Sequence, residues 1–325
     1  MKERENKMNR SEILFLYDAS WTNPNGDPVD ENKPRIDEET GHNIVTDVRL
    51  KRTIRDYLNE FKEKEIFVRE ISDEEGIIQD AKHRAEDFLL KDGEKVSKSD
   101  LTLAEMKRLI QKNLLRDCID VRLFGGTIPV EKSSKEKSSI TLTGPVQFQM
   151  GQSLHRVKLE YIKGTGAFAS GDKQTRKTFR EEYVVPYSLI GFYGVINEKA
   201  SKHTLMTEED VALLLDGLWN GTKNLISRSK VGQQPRLLLR VVYHEDCFHI
   251  GELNRLIRFD TEKAEEEVRH VSDGTLDVSP LLGKLAEEKE KIQEVQYLLD
   301  SQINLSYNLP EELNQLGIKT RELMY

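Results

Sequence analysis

Cysteine is nearly absent from this 325-residue chain, which contains only Cys118 and Cys247. The two residues form no CxxC pair, so the sequence offers neither a disulfide framework nor a zinc knuckle. We expect both thiols to be buried and unreactive.

Long apolar runs are absent as well. No stretch approaches the roughly 20 apolar residues that a membrane-spanning helix needs. Charged residues make up 33% of the chain. The first nine residues are charged and lack the apolar core of a signal peptide. The sequence therefore predicts a cytoplasmic protein that makes no membrane contact.

Catalytic motifs are also missing, because the chain contains no GxSxG elbow, P-loop or HExxH pair. His244 and His249 are five residues apart, which does not match the helical spacing of a zinc protease. Asp27, Asp30 and Asp37 leave one alternative open, since three carboxylates in one loop could hold a metal that assists RNA cleavage. Aspartates near prolines more often cap turns, so we predict no catalytic residues and no cofactor.

The net charge of −8 is unevenly distributed. Residues 259–325 contain 15 Asp/Glu and 7 Lys/Arg, which leaves the first 258 residues formally neutral. Within that neutral part, basic residues cluster in Gly151–Arg180 and Gly221–Arg240. Local basic patches, rather than net charge, attract phosphate groups. The alternative is that these runs are solvated faces.

Hydrophobic periodicity predicts an alternation of strands and helices. With insertions set aside, the order is β-α-β-β-α-β, with strands at Ser11–Asp18, Ile140–Gln149, Glu182–Ile196 and Arg236–Tyr243 and helices at Val45–Phe61 and Thr207–Ser227. This order predicts an α+β fold with an RRM or ferredoxin-like core, an antiparallel sheet with helices on one face. The other face or an edge would then be free for RNA.

Two further regions flank this core. Residues 71–118 are charge-rich and predicted to be helical, so we interpret them as an insertion. Residues 259–325 are predicted to form an acidic, partly helical C-terminal region with a helix at Leu281–Leu299.

Two segments are candidate RNA contacts, each with a plainer alternative. The loop Asn23–Arg35 is either a structural turn or an RNA-contacting loop beside the basic helix start at Arg49, Lys51 and Arg52. The segment Gly151–Arg180 is either an exposed hairpin or a basic finger along a nucleic-acid backbone. In the second case its basic residues would contact phosphates and Phe168 would stack on a base.

Several motifs in a fixed order resemble one family. They are Phe15-Leu16-Tyr17-Asp18, Asn23-Pro24-Asn25-Gly26-Asp27-Pro28, Thr46-Asp47-Val48-Arg49-Leu50-Lys51-Arg52, Asp120-Val121-Arg122-Leu123-Phe124-Gly125, Thr143-Gly144-Pro145-Val146-Gln147 and Gly151-Gln152-Ser153. Together they resemble the Cas-seven family, the RAMP-superfamily backbone subunits of the CRISPR complex Cascade. The likeness is strongest to the type I-B branch and extends to the type I-C branch.

The resemblance implies a hand-like architecture. The palm would comprise residues 11–70 and 119–245, the helical fingers residues 71–118, and a β-hairpin thumb residues 157–180. Copies would stack helically along CRISPR RNA and present it to target DNA. Further partners would be the large subunit, the RNA-processing endonuclease and an end-capping RAMP-type subunit.

The predicted RNA-binding residues combine both lines of reasoning. They are Asn23, Asn25, Gly26, Asp27, Arg35, Thr46, Arg49, Lys51, Arg52, Arg122, Gly125, His155, Arg156, Lys158, Phe168, Lys173, Arg176, Lys177, Arg180, Lys223, Arg228, Ser229 and Lys230. The chain is thus predicted to coat a guide RNA without catalysis. The alternatives are a metal-dependent ribonuclease like the type III backbone subunits and a generic RRM-type RNA-binding protein.

Overall fold

The computed structural model describes residues 8–71, 76, 78–169 and 177–325, and for residues 165–169 and 177–180 it describes the backbone alone. Its α-helices are α1 (Asp47–Glu60), α2 (Ala81–Glu86), α3 (Leu103–Asp117), α4 (Ile119–Phe124), α5 (Glu198–Thr204), α6 (Glu208–Lys223), α7 (Ser279–Glu287) and α8 (Leu309–Gln315). Short 3₁₀ helices cover Lys98–Asp100, Leu253–Leu256, Glu265–Glu267, Val271–Asp273 and Lys289–Lys291. In this described part of the chain, no helix combines the length and apolarity needed to cross a membrane.

The strands are β1 (Ser11–Thr22), β2 (Gly26–Asp27), β3 (Lys33–Pro34), β4 (His42–Val45), β5 (Leu90–Lys91), β6 (Glu94–Lys95), β7 (Gly125–Ser133), β8 (Glu136–Thr143), β9 (Val146–Phe148), β10 (Gly151–Arg156), β11 (Glu160–Ala169), β12 (Lys177–Ile196), β13 (Gln233–Tyr243), β14 (Arg258–Thr261), β15 (Gly274–Asp277), β16 (Ile292–Leu299) and β17 (Thr320–Glu322). The main sheet has the order β17-β16-β13-β1-β12-β10-β4, with β9 and β11 also paired to β12. All its pairs are antiparallel except β16 with β17.

The predicted ferredoxin-like core is confirmed, but its second strand is β10 and not the predicted strand at Ile140–Gln149, which divides between β8 and β9. Along the chain it runs β1, α1, β10, β12, α6, β13, and its four strands stand in the order β13-β1-β12-β10. Helices α1 and α6 pack on one face of these strands, where Phe15, Ile54 and Leu214 belong to one buried cluster. The helices are joined by the Tyr57 hydroxyl, which donates to Asp216 at 3.0 Å.

The other face of the sheet is not open, contrary to the expectation that it is free for RNA. Leu14 and Tyr193 on this face pack against Leu281 and other apolar residues of the C-terminal region. That region also extends the sheet, since β16 pairs with β13. The covering of this sheet face was not predicted, because the apolar residues of the C-terminal region are spread over a long, irregular and acidic segment without clear periodicity.

The predicted helix at Leu281–Leu299 is wrong in its second half. Helix α7 ends at Glu287, and Ile292–Leu299 is strand β16. Pairing with β13 decides the conformation of this segment, and local periodicity does not reveal that pairing. The expectation for Cys247 is also wrong, since Cys118 is buried but Cys247 is exposed.

The inserted helices form a third buried cluster that reaches beyond the predicted boundary at residue 118. Met106 of α3 shares this cluster with Ile128 of β7 and Ile140 of β8. The hairpin β7–β8 therefore packs with the insertion. Asp120 ties the insertion to the core, because its carboxylate accepts from the backbone N–H groups of Phe67 and Val68 and from Arg55.

Replacing Gly151 by alanine is expected to destabilise the fold by about 1–3 kcal/mol, because a Cβ at this position would overlap the ring of buried Phe192. Gly126→Ala is the matched control, since a Cβ there meets no atom within 4 Å. Urea unfolding of both variants measures the difference. Equal stability of the two variants would contradict this account of the core.

Candidate nucleic-acid interface

Three chain segments meet at the carboxyl end of β1. The backbone N–H of Ser20 donates to the carbonyl of Gly232 at 3.1 Å, and that of Asn23 donates to Ser229 at 3.2 Å. These bonds hold the 227–232 loop against the start of the Asn23–Arg35 loop. Helix α1 begins beside both loops, as the contacts of Asn25 show.

Asn25 connects the first loop to the helix start. Its side-chain oxygen accepts from the backbone N–H of Thr46 at 2.8 Å and from the Thr46 hydroxyl at 2.9 Å. Thr46 is the N-cap of α1 and accepts from the N–H of Arg49 at 3.4 Å. A side-chain cap of this kind fixes where a helix begins.

Arg49 is the third residue of α1 and is partly buried. Burial lowers the pKa of the Arg49 guanidinium. Nearby Tyr17 and Asp56 raise this pKa, whereas repulsion by Arg52 lowers it further. Among the ion pairs of the described residues, none involves Arg49. Its guanidinium is thus partly desolvated, and no described carboxylate lies within ion-pair distance of it.

Lys230 is the second such cation. Its ammonium donates to the backbone carbonyls of Asn23 and Pro24, the latter at 3.3 Å. Burial lowers the pKa of Lys230 to about 8, and repulsion by Arg49 contributes. Two positive groups are therefore held close enough to repel each other at the end of one strand.

This arrangement suits a phosphate group. A bound phosphate would relieve the repulsion between Arg49 and Lys230, and the amino end of α1 adds unpaired backbone N–H groups and the positive end of the helix dipole. Partly buried cations interact more strongly with an anion than fully solvated ones do. The geometry can thus hold a backbone phosphate without contacting a base.

The neighbouring predicted residues are mostly paired. Lys51 contacts Asp47 at 2.9 Å, Arg52 contacts Asp56 at 2.6 Å, and Arg228 contacts Glu182 at 2.8 Å. Gly26 and Asp27 form β2, and Asp27 pairs with Arg35 at 2.5 Å. These side chains surround the pair of Arg49 and Lys230, but their charges are already compensated.

Arg122 and Gly125 lie apart from this site and have structural partners. The Arg122 guanidinium binds Asp210 through two bonds of 2.8 and 2.7 Å and donates to the carbonyls of Leu115 and Arg116. Gly125 ends α4 with a φ of 66°, and a Cβ there would overlap the backbone of Leu142. The structure gives both residues a role in joining α4 to α6 and to the β7–β8 hairpin.

His155 is in the core, so the structure does not support its predicted RNA contact. It is 1% exposed and stacks on Tyr187. Its Nδ1 lies 2.8 Å from the carbonyl of Arg156, and its Nε2 accepts from the N–H of Leu189. Burial lowers the pKa of His155, which favours this neutral form.

Three other predicted basic residues are exposed. Arg156 lies 3.5 Å from Glu265 and 3.4 Å from Glu266 of the C-terminal region. Lys158 pairs with Glu160 at 2.7 Å. Lys223 is at the last turn of α6.

The remaining predicted residues belong to the β11–β12 hairpin. Lys173 and Arg176 lie outside the described residues, and so do the side chains of Phe168, Lys177 and Arg180. The backbone of β11 pairs with β12 from Glu160↔Val184 to Ala169↔Lys177. The paired strands of the hairpin are thus described, and its predicted RNA contacts stay predictions.

The sequence analysis missed Trp21. This residue is 59% exposed and directly precedes the residues that bond to the 227–232 loop. A tryptophan three residues after the predicted strand and two before Asn23 was an available signal. It was overlooked because the strand was predicted to end at Asp18, whereas β1 continues to Thr22.

The aspartates of the metal alternative have local partners. Asp27 pairs with Arg35, Asp30 with Lys33, and Asp37 accepts from the Thr40 hydroxyl at 2.7 Å. That bond is the main cause of the lowered pKa of Asp37. Within the described ranges, no three His, Cys, Asp or Glu side chains come together as metal ligands.

Comparisons with known proteins agree with this architecture. The model of the family described as CRISPR-associated protein Cas7 matches residues 9–279. A CRISPR-associated protein Cas7 from Haloferax volcanii is 33% identical over 315 residues, which cover 92% of this chain and 89% of that protein.

Two solved structures share the fold at low sequence identity. A chain of a CRISPR RNA-guided surveillance complex in a pre-nicking state has a TM-score of 0.54 and 11% identity, covering 95% of this chain and 99% of its own. A chain of another CRISPR RNA-guided surveillance complex has a TM-score of 0.50 and 12% identity, covering 95% and 98%.

The geometry defines an elaborated ferredoxin-like α+β protein with two partly buried cations, Arg49 and Lys230, that form no ion pair among the described residues. The sequence matches identify it further: the chain belongs to the CRISPR-associated protein Cas7 family. This is the family that the sequence motifs resemble, so the family prediction is confirmed.

Replacing Arg122 by alanine is expected to lower the free energy of unfolding by about 3 kcal/mol, because Asp210 would keep a largely buried charge without its partner. Arg116→Ala, which breaks an exposed pair with Asp117, is the control and should cost much less, because exposed ion pairs are screened by water. Chemical denaturation followed by circular dichroism compares the two. Similar losses would show that Arg122 has no special structural role.

Proposed function

We propose that this protein is a non-catalytic, CRISPR RNA-binding backbone subunit of a type I surveillance complex, of the I-B branch. Several copies stack along the guide and leave its bases available to target DNA. Family membership and the fold shared with chains of surveillance complexes support this proposal. The complex would act in the cytoplasm in antiviral defence.

The observation that carries the proposal is the pair of Arg49 and Lys230. Both cations are partly buried and neither forms an ion pair among the described residues; Arg49 lies in the first turn of a 14-residue helix and Lys230 in the loop that contacts Asn23. A guide must accept any sequence, so its carrier needs contacts to phosphate and shape rather than to base edges. This site offers phosphate contacts of that kind.

Stacking of copies follows from the same logic. One phosphate site binds weakly, but sites coupled along one RNA bind strongly through effective concentration. We assign the β11–β12 hairpin as the thumb that reaches the next copy, and the inserted helices with the β7–β8 hairpin as the fingers. The other partners remain those of the family: the large subunit, the processing endonuclease and the end-capping subunit.

The alternatives have less support. A metal-dependent ribonuclease needs free carboxylates, whereas Asp27, Asp30 and Asp37 are each engaged with local partners. A generic RRM protein reads bases on its exposed sheet face. Here that face is covered by the C-terminal region, and Tyr193 is buried beneath it.

Reversing the charge of Arg49 tests the proposed site. Arg49→Glu is expected to abolish RNA retention, whereas Arg52→Glu should reduce it only slightly, because Arg52 is half exposed and already paired with Asp56. Light scattering after size exclusion, with a repeat–spacer RNA, measures both the bound RNA and the copy number. In the wild type, the assembly mass should grow in steps with RNA length.

Arg49→Gln serves as a second variant, since it removes the charge without placing an acid beside Tyr17. Circular dichroism confirms that each variant is folded. Equal RNA binding by wild type, Arg49→Glu and Arg49→Gln would refute the assigned site. RNA that is shortened at regular intervals in a divalent metal buffer would instead support the ribonuclease alternative.

The lowered pKa of Lys230 predicts that RNA affinity depends on pH. Its pKa of about 8 in the free protein means that its positive charge is present below that pH and is lost above it. RNA affinity should therefore fall as the pH rises from about 7 to about 9.5, by at most roughly tenfold per pH unit. Lys230→Arg should bind RNA without this slope, because a guanidinium stays charged. Fluorescence anisotropy at constant ionic strength measures both, and an equal slope in the variant would contradict the role of Lys230.

A further inference from the structure

Trp21 has an unusual backbone conformation for a large residue. Its φ is 50°, in the left-handed region that bulky side chains rarely adopt, and it lies inside strand β1 rather than in a turn. The side chain is 59% exposed, so burial of the indole does not offset the cost of this conformation. Backbone strain of this kind persists only where surrounding structure imposes it.

The residues on both sides of Trp21 impose it. The backbone N–H of Ser20 donates to the carbonyl of Gly232, while Thr22 and Asn23 both donate to the carbonyl of Ser229. Trp21 is thus held between two anchored positions with its indole toward solvent. A large aromatic side chain therefore occupies an exposed position where a glycine or a small polar residue would have less backbone strain.

The surroundings of Trp21 point to a ligand. The loop that anchors it contains Lys230, whose ammonium donates to the carbonyls of Asn23 and Pro24, close to the residues that flank Trp21. Cations that hold a strand's phosphates next to an aromatic ring that stacks on its bases are the usual combination in single-stranded nucleic-acid sites. An indole beside two uncompensated cations supplies both halves of that combination.

We propose that Trp21 is a base-stacking platform that holds one nucleotide of the bound RNA beside the phosphate site of Arg49 and Lys230. This inference rests on the proposed RNA-binding function. Stacking is tolerant of sequence because every base presents a π face, so it fits a guide carrier. It would fix the orientation of one nucleotide per copy, which phosphate contacts alone leave free.

The chain offers a direct optical test, because it contains only two tryptophans. Trp219 is on α6 and packs against the core, so Trp219→Phe leaves Trp21 as the single emitter. In this variant, a short oligoadenylate should quench indole fluorescence in a saturable manner. A matched ribose-phosphate oligomer without bases should bind more weakly and leave the emission nearly unchanged.

Affinity measurements separate stacking from structure. Trp21→Ala is expected to weaken oligoadenylate binding roughly tenfold, and Trp21→Phe should restore most of the loss. Both variants should bind the base-free oligomer as the wild type does. Anisotropy of a labelled oligonucleotide gives these values independently of indole emission.

The outcomes distinguish this inference from the function on which it rests. If the wild type binds no RNA in either assay, the proposed function fails. If RNA binds but Trp21 emission and the affinity of Trp21→Ala are unchanged, the stacking role is wrong. If Trp21→Ala binds short RNA normally but no longer forms long assemblies on a long RNA, the indole contacts a second copy, which also overturns the proposal.

Discussion

The structure depends on one strand being enclosed on all sides. β1 is hydrogen-bonded to β12 along one edge and to β13 along the other, and its side chains alternate between two buried clusters. A strand with no free edge and no free face has a single register, because a slip of one residue would exchange its two apolar sets. Only the carboxyl end of β1 leaves this enclosure, and there the candidate site begins. Its geometry is therefore as fixed as the core.

Whether a basic residue has an acidic partner distinguishes the candidate site from other basic residues more clearly than solvent exposure does. Arg122 is compensated by a buried carboxylate, and Arg52 and Arg228 by acids nearby. Arg49 and Lys230 differ because both are partly removed from water and neither forms an ion pair with a described carboxylate. An uncompensated buried charge costs free energy in the unbound protein. Such a cost is reasonable where an anionic ligand removes it, and so these two residues, rather than the most exposed lysines, define the site.

The sequence predicted most of the ferredoxin-like core because β1 is a nearly continuous apolar run and α1 and α6 have strong apolar periodicity. It also predicted that the Asn23 loop, the start of α1 and the 228–230 loop belong together, through family motifs. It could not predict that Arg122 is paired and His155 buried, since both depend on contacts with distant residues, Asp210 and Tyr187. The strand at Ile292–Leu299 and the covered sheet face were missed for the same reason, because long-range packing decides them.

The covered sheet face also constrains how RNA can be bound. An RRM that stacks bases on its sheet holds them flat against the protein, which would hide them from a pairing strand. In this chain the C-terminal region fills that face with apolar residues such as Leu281 and Val295, so bases cannot lie there. The cations and Trp21 instead lie at the end of β1, where a backbone can pass across the strand ends. The covered sheet face and the proposed phosphate site at the end of β1 therefore fit the same role, because the guide carrier that we propose must leave its bases readable.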